Sequence, residues 1–87
     1  MEYCIAVSNA AGAATATSLT LSDPLPTTVT YSSGYGAFLN GTVTGSTCNS
    51  DGTAGGTYTA GTTTVSGTLN NLTAGSTETL RFRTTIN

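Results

Sequence analysis

Apolar and polar side chains alternate with a period of two along nearly the whole chain, and no segment sustains the 3.6-residue period of an amphipathic helix. The clearest case is TETLRFRTTI, residues 77–86. There Leu80, Phe82, Thr84 and Ile86 share one face, and Thr79, Arg81, Arg83 and Thr85 share the other. EYCIAVSN repeats the pattern at the front, with Tyr3, Ile5 and Val7 on one side and Cys4, Ala6 and Ser8 on the other. Further strands are predicted at Leu19–Leu21, at Val29–Tyr31, around Tyr58 and around Val65. Small residues, prolines and asparagines punctuate them: AAGAA at 10–14, DPLP at 23–26, NNLTAGS at 70–76. Asn40-Gly41 reads as a hairpin turn between two short strands. STCNSDGTAGG, residues 46–56, reads as a loop held only at Cys48. AAGAATA has the alanine content of a helix, but it lacks an apolar stripe and contains Gly12. Seven or eight short strands at about ten-residue spacing predict an all-β fold, a β-sandwich with a barrel as the alternative.

Eighty-seven residues suffice for one domain, residues 1–87, with a small core that a covalent staple would help. Cys4 and Cys48 are the only cysteines. An even count in a small chain rich in β-formers favours a disulfide and an oxidising compartment. The rival readings are a metal site and a reactive thiol. The chain has no His and no Lys, so neither cysteine has such a neighbour to serve a metal or activate a thiolate. A Cys4–Cys48 bond closes a loop of roughly 45 residues, for which the chain-entropy model gives about 4 kcal/mol.

Charge is scarce: two arginines and four carboxylates give a net charge of −2. That leaves no electrostatic footprint for nucleic acid or anionic lipid. No apolar run approaches the roughly 18 residues of a membrane span. No basic-then-apolar leader precedes Tyr3, which reads as a fragment or a processed form. No cofactor is called for. Catalysis needs groups whose pKa can be poised, and here they are reduced to carboxylates, tyrosines and hydroxyls. Glu2 lies at the terminus, Asp23 is expected to cap the DPLP turn, and Glu78 is expected on the wet face of its strand, so no enzyme is expected. Asn49, Asp51 and the Thr53 carbonyl have the alternating spacing of a calcium loop, but a single carboxylate is too little charge and no downstream Glu completes it. The bland reading is an Asp-Gly turn, and no metal is expected. Lacking lysine, the chain cannot form a Lys–Asn isopeptide cross-link. Asn40-Gly41-Thr42 and Asn71-Leu72-Thr73 are acceptor sequons for glycans at Asn40 and Asn71, although a chain with 21 threonines makes such matches cheaply. Among Tyr31, Tyr35, Phe38 and Tyr58, only Tyr35, between Gly34 and Gly36, reads as loop-borne and exposed. Tyr31 and Phe38 read as core.

YCIAVSNAAGAATATSLTLSDPLPTTVTY and the later VSGTLNNLTAGSTETLRFRTTIN resemble the conserved repeat of large bacterial and archaeal surface proteins known as domain of unknown function eleven. Asn9, Asp23, Pro24, Leu25, Pro26, Tyr31, Leu69, Leu72, Ala74 and Gly75 stand at the places of that pattern. Residues 33–62 form the variable middle, and cysteines like Cys4 and Cys48 occur in one branch of such repeats. The resemblance implies an immunoglobulin-like sandwich, strung in tandem on secreted or wall-attached proteins, with no catalytic residues to transfer. It also implies a further strand before Tyr3. Without that strand the sandwich is left with an open edge, which a neighbouring copy could complete by strand donation.

The reading at this stage is a non-catalytic structural module of a secreted or cell-surface protein, self-associating into an extracellular fibre or stalk. Its partners are copies of itself or adjacent repeats, with glycans besides. The candidate assembly strand is the last one, carrying Thr77, Leu80, Phe82, Thr84 and Ile86. The alternative is an adhesin module binding carbohydrate or a host protein.

Overall fold

The computed structural model describes residues 1–87 and is all-β, without a helix. Ten strands follow in order: β1 (Glu2–Ser8), β2 (Thr20–Pro24), β3 (Val29–Tyr31), β4 (Ala37–Gly41), β5 (Val43–Thr44), β6 (Thr47–Cys48), β7 (Thr53–Ala54), β8 (Thr57–Thr59), β9 (Thr64–Thr68) and β10 (Thr77–Ile86). All pairings are antiparallel. One sheet runs β1-β10-β4-β7, with β3 also on β10; a second runs β2-β9-β8; β5 and β6 form a small hairpin. This arrangement is compatible with a β-sandwich.

The period-two pattern of β10 gives it an apolar face, and the sheet is built around that face. Leu80 and Phe82 are fully buried, and they join Leu25, Ala37 and Val65 in one cluster. Val65 comes from the second sheet, so the cluster is the layer between the sheets. Tyr3, Ile5, Leu21, Val29, Tyr31, Leu39 and Tyr58 pack around it. Tyr31 stacks on Tyr58 with ring centroids 4.6 Å apart, and Tyr3 lies 5.2 Å from Phe82. Gly67 shares the inward face of β9 with Val65, and a methyl group there would sit 2.6 Å from Leu39 Cδ2. The Leu39 side chain thus occupies the place a larger residue 67 would fill.

β10 is a central strand, and this corrects the expectation that it is an edge or a donor. Its residues Thr77–Arg83 pair with β1 on one side. On the other side Thr79–Phe82 pair with β4, and Thr84–Ile86 pair with β3. The backbone that carries Thr77, Leu80, Phe82, Thr84 and Ile86 is therefore hydrogen-bonded within the chain, and releasing it would dismantle the larger sheet.

Asn40-Gly41 is likewise no hairpin turn. β4 continues through Gly41, and the register slips between Thr79 and Leu80 so that Asn40 is the extra residue of a β-bulge. Asn40 takes the left-handed conformation, φ 60°, that such a bulge needs. The "NG" pair signals a residue tolerant of positive φ, and bulge and turn use it alike. The 46–56 segment is not a plain loop either: β6 pairs with β5, and Phe38 and Leu39 of β4 pair with Ala54 and Thr53 of β7.

At one end of the molecule Asn9 joins two turns. Its Nδ2 donates to the carbonyls of Ala14, at 2.8 Å, and Leu72, at 3.0 Å, while Leu72 itself is buried. Pro24 closes β2. The bonds Leu69 N–H to Leu19 O and Leu25 N–H to Thr63 O put the odd residues of β2 against β9. Even-numbered Pro24 therefore lacks only an N–H that would have pointed away from the sheet. Asp23 is also corrected: it pairs with Val65 inside β2, and its carboxylate makes no capping hydrogen bond.

Only 11 of 87 residues are buried, so each large core side chain carries a substantial share of the stability. Phe82→Ala is expected to cost about 3–5 kcal/mol. Ile86→Ala, at a residue 68% exposed, is expected to stay within about 0.5 kcal/mol. Urea unfolding of the two disulfide-intact variants measures the contrast.

Candidate functional site

The outer face of the larger sheet carries the chain's polar chemistry, and the alternation of β10 places it there. With Leu80 and Phe82 turned inward, Thr79, Arg81 and Arg83 turn out. Arg81 is nevertheless only 3% exposed, although it alternates with the apolar residues of the strand. The chain folds over it. Its Nη1 donates to the Tyr35 hydroxyl and its Nη2 donates to the Asp51 carbonyl at 3.0 Å. Its guanidinium carbon stands 4.8 Å from the Phe38 ring centre. Phe38 therefore lies on the outer face with Arg81, not in the inter-sheet core, because it alternates with inward Ala37 and Leu39. Stacking on an aromatic face suits a guanidinium, which is weakly hydrated and planar.

Glu2 faces both arginines, with Oε2 3.2 Å from Arg83 Nε and 3.7 Å from Arg81 Nη1. Arg83 covers the Tyr35 ring at 4.0 Å. Tyr35 is thus half-buried beneath a cation, not exposed as its place between two glycines predicts, and its ring face is occupied from within.

Cys4 and Cys48 form a disulfide on this same face, with Cα atoms 6.6 Å apart. Cys4 sits opposite Arg81 in the β1–β10 ladder, and Cys48 sits opposite Val43 in the β5–β6 hairpin. The bond fastens the hairpin to the sheet. A disulfide is compatible with an extracellular protein.

The hairpin and the segment after it are held by more than sulfur. Asp51 accepts from the Thr42 backbone N–H at 2.9 Å with one oxygen and from the Thr42 hydroxyl with the other. The Asn49 amide donates to the hydroxyls of Thr42, at 2.8 Å, and Thr44, at 3.1 Å. Of the residues of the calcium-like spacing, Asn49 and Asp51 thus serve as a clamp on Thr42, with both Asp51 oxygens already accepting hydrogen bonds, while Thr53, in β7, pairs with Leu39. No three His, Cys, Asp or Glu side chains come together. Gly41 lies under the clamp, and a Cβ there would run into Thr79 Oγ1 and come within 3.0 Å of Asp51 Oδ1. The Thr42 hydroxyl, then its N–H, and to a smaller extent Arg81 hold the Asp51 carboxyl below its ordinary value of 3.8.

The remaining carboxylates lie apart from this cluster in the sequence pattern. Glu78 is corrected from its expected wet face: it shares the parity of Leu80, and its Oε2 is buried with no hydrogen-bond partner. Asn40 spends its side-chain oxygen on the Asn70 N–H at 2.8 Å, whereas Asn71 is exposed. No cavity opens in the surface.

Comparison with family models, with curated proteins and with solved structures gives no match to this chain.

Sequence reasoning missed the burial of Arg81 and the role of Asp51. One signal was available for the first: Arg81 and Arg83 are the only cations, set among aromatics and carboxylates with few other charges to choose from.

The Cys4→Ser/Cys48→Ser double variant is expected to lose up to about 4 kcal/mol in urea unfolding. The sign for Asp51 follows from its lowered folded pKa. The contact with Thr42 contributes in full above the unfolded value and is lost as pH falls through the folded one. An NMR titration is expected to give Asp51 a midpoint below 3.8. Thr42→Val, which keeps the backbone donor and removes the hydroxyl, is expected to return it toward that value.

Proposed function

We propose that this chain is a non-catalytic structural module of a secreted or cell-surface protein, of immunoglobulin-like type, that joins copies of itself in an extracellular fibre or stalk. The observation that carries this reading is the outer edge of β1. β1 is a terminal strand of the larger sheet and pairs only with β10. It runs seven residues without a proline, a lysine, a glycine or a register break, whereas the edge strand β7 is two residues long. Soluble proteins normally blunt such an edge, because its free N–H and C=O groups template pairing with another chain.

Two features support the same reading. The charge is low, so approaching copies repel one another little. The disulfide, the Thr42–Asp51 clamp and the caged Arg81 tie the hairpin and the variable segment to one face, which suits a stiff spacer. The caged Tyr35 gives the carbohydrate-binding alternative no open aromatic platform. Strand donation by β10 is not part of the proposal, since that strand is internal.

Light scattering and electron microscopy of the purified chain are expected to show concentration-dependent oligomers or filaments without added ligand. A glycan array is expected to show no binding. A strictly monomeric protein that binds a defined glycan would replace this reading with the adhesin.

A further inference from the structure

The β1 edge has a definite polarity that identifies what fits it. Met1 and Thr84 exchange backbone hydrogen bonds, both 2.8 Å, and Asn9 N–H donates to Ser76 O at 2.9 Å. Antiparallel pairing alternates strictly, so Tyr3, Ile5 and Val7 direct their backbone polar groups to β10. Glu2, Cys4, Ala6 and Ser8 direct theirs outward, and none of these four takes part in the backbone bonds formed outside the strands. Glu2, Ala6 and Ser8 are exposed.

We infer that this edge pairs with β1 of a second copy, antiparallel about a two-fold axis at Ile5; the inference rests on the self-associating reading above and names its contact. β1 is complementary to itself in one register. With Cys4 opposite Ala6 and Glu2 opposite Ser8, every outward N–H meets an outward C=O of the other copy. On the inward face Tyr3 then meets Val7 and Ile5 meets Ile5, as a non-hydrogen-bonded pair with Cα atoms about 4.5 Å apart. That extends the half-buried apolar row of β1 into the partner. On the outer face the only carboxylate meets a hydroxyl, and small Ala6 leaves room for the hairpin that Cys48 fastens beside Cys4. The neighbouring registers are worse. One sets Cys4 against Cys4, bringing two disulfide-bound hairpins together, and leaves Ser8 unpaired. The other sets Ala6 against Ala6 and leaves Glu2 unpaired.

The contact is isologous and closes as a pair, so filament growth uses it together with a second, different contact. One strand is a narrow interface, and association is expected at high concentration, with a Kd on the order of 0.1–1 mM.

Hydrogen exchange of the wild-type chain reads the parity directly. Amides of Tyr3, Ile5 and Val7 are expected to be protected at every concentration. Those of Cys4, Ala6 and Ser8 are expected to slow about tenfold between dilute and concentrated protein. Ala6→Pro removes an N–H that the fold does not use and is expected to yield a folded monomer by analytical ultracentrifugation. Ser22→Pro, at an outward position of β2, is the matched control and is expected to keep the dimer. Association that leaves the even-numbered amides unprotected overturns this inference while sparing the self-associating reading. Slow even-numbered amides at every dilution overturn it too, since the edge would then be covered within one chain. A chain monomeric to about 1 mM overturns both.

Discussion

The paired ladders on the two sides of β10 set the geometry of everything else. A strand bonded to β1 on one side and to β4 and β3 on the other has no freedom to slip, because a one-residue shift would turn Leu80 and Phe82 out of the core and Arg81 into it. The inward half of that constraint makes the apolar layer with Val65 and Leu25. The outward half presents Arg81 at a fixed place, and Tyr35, Phe38 and the Asp51 carbonyl close over it. Burying a guanidinium is costly unless its donors are paired and its faces covered; both Arg81 Nη groups are paired, while Nε is buried without a partner. That requirement organises residues 35–51 as much as the disulfide does.

Much of this was legible in the sequence, because strand faces are a local property. The alternation in residues 77–86 identified Leu80 and Phe82 as inward, and the even cysteine count pointed to Cys4–Cys48. Turn residues separated Tyr58 from Val65 into what became β8 and β9. Periodicity says nothing of neighbours in a sheet, however, so β10 reads as a donor or an edge although it lies at the centre. The same limit hid Arg81: alternation put it on the outer face, and only long-range closure by Tyr35 and Asp51 made that face dry. Asn40-Gly41 misled for a different reason. A residue at φ 60° serves a hairpin turn and a bulge alike, and the choice between them depends on whether Gly41 finds Thr79 as a partner.

The candidate site was partly visible. Glu2, Asp51 and both arginines stood out as scarce charges, but their grouping needed β1 beside β10 and the hairpin folded back over both.

The termini of β1 and β10 lie side by side, Glu2 against Arg83, so a pull on the two ends of the module peels these strands apart one rung at a time. Such peeling resists force poorly at each step. It reaches Cys4 after very few rungs, and there the covalent bond to Cys48 takes up the tension. Residues 5–47 are then bypassed by the force path, and β2, β3, β4 and most of β1 stay slack while the remainder extends. Extension is then limited to the stretch from Cys48 to the end of β10.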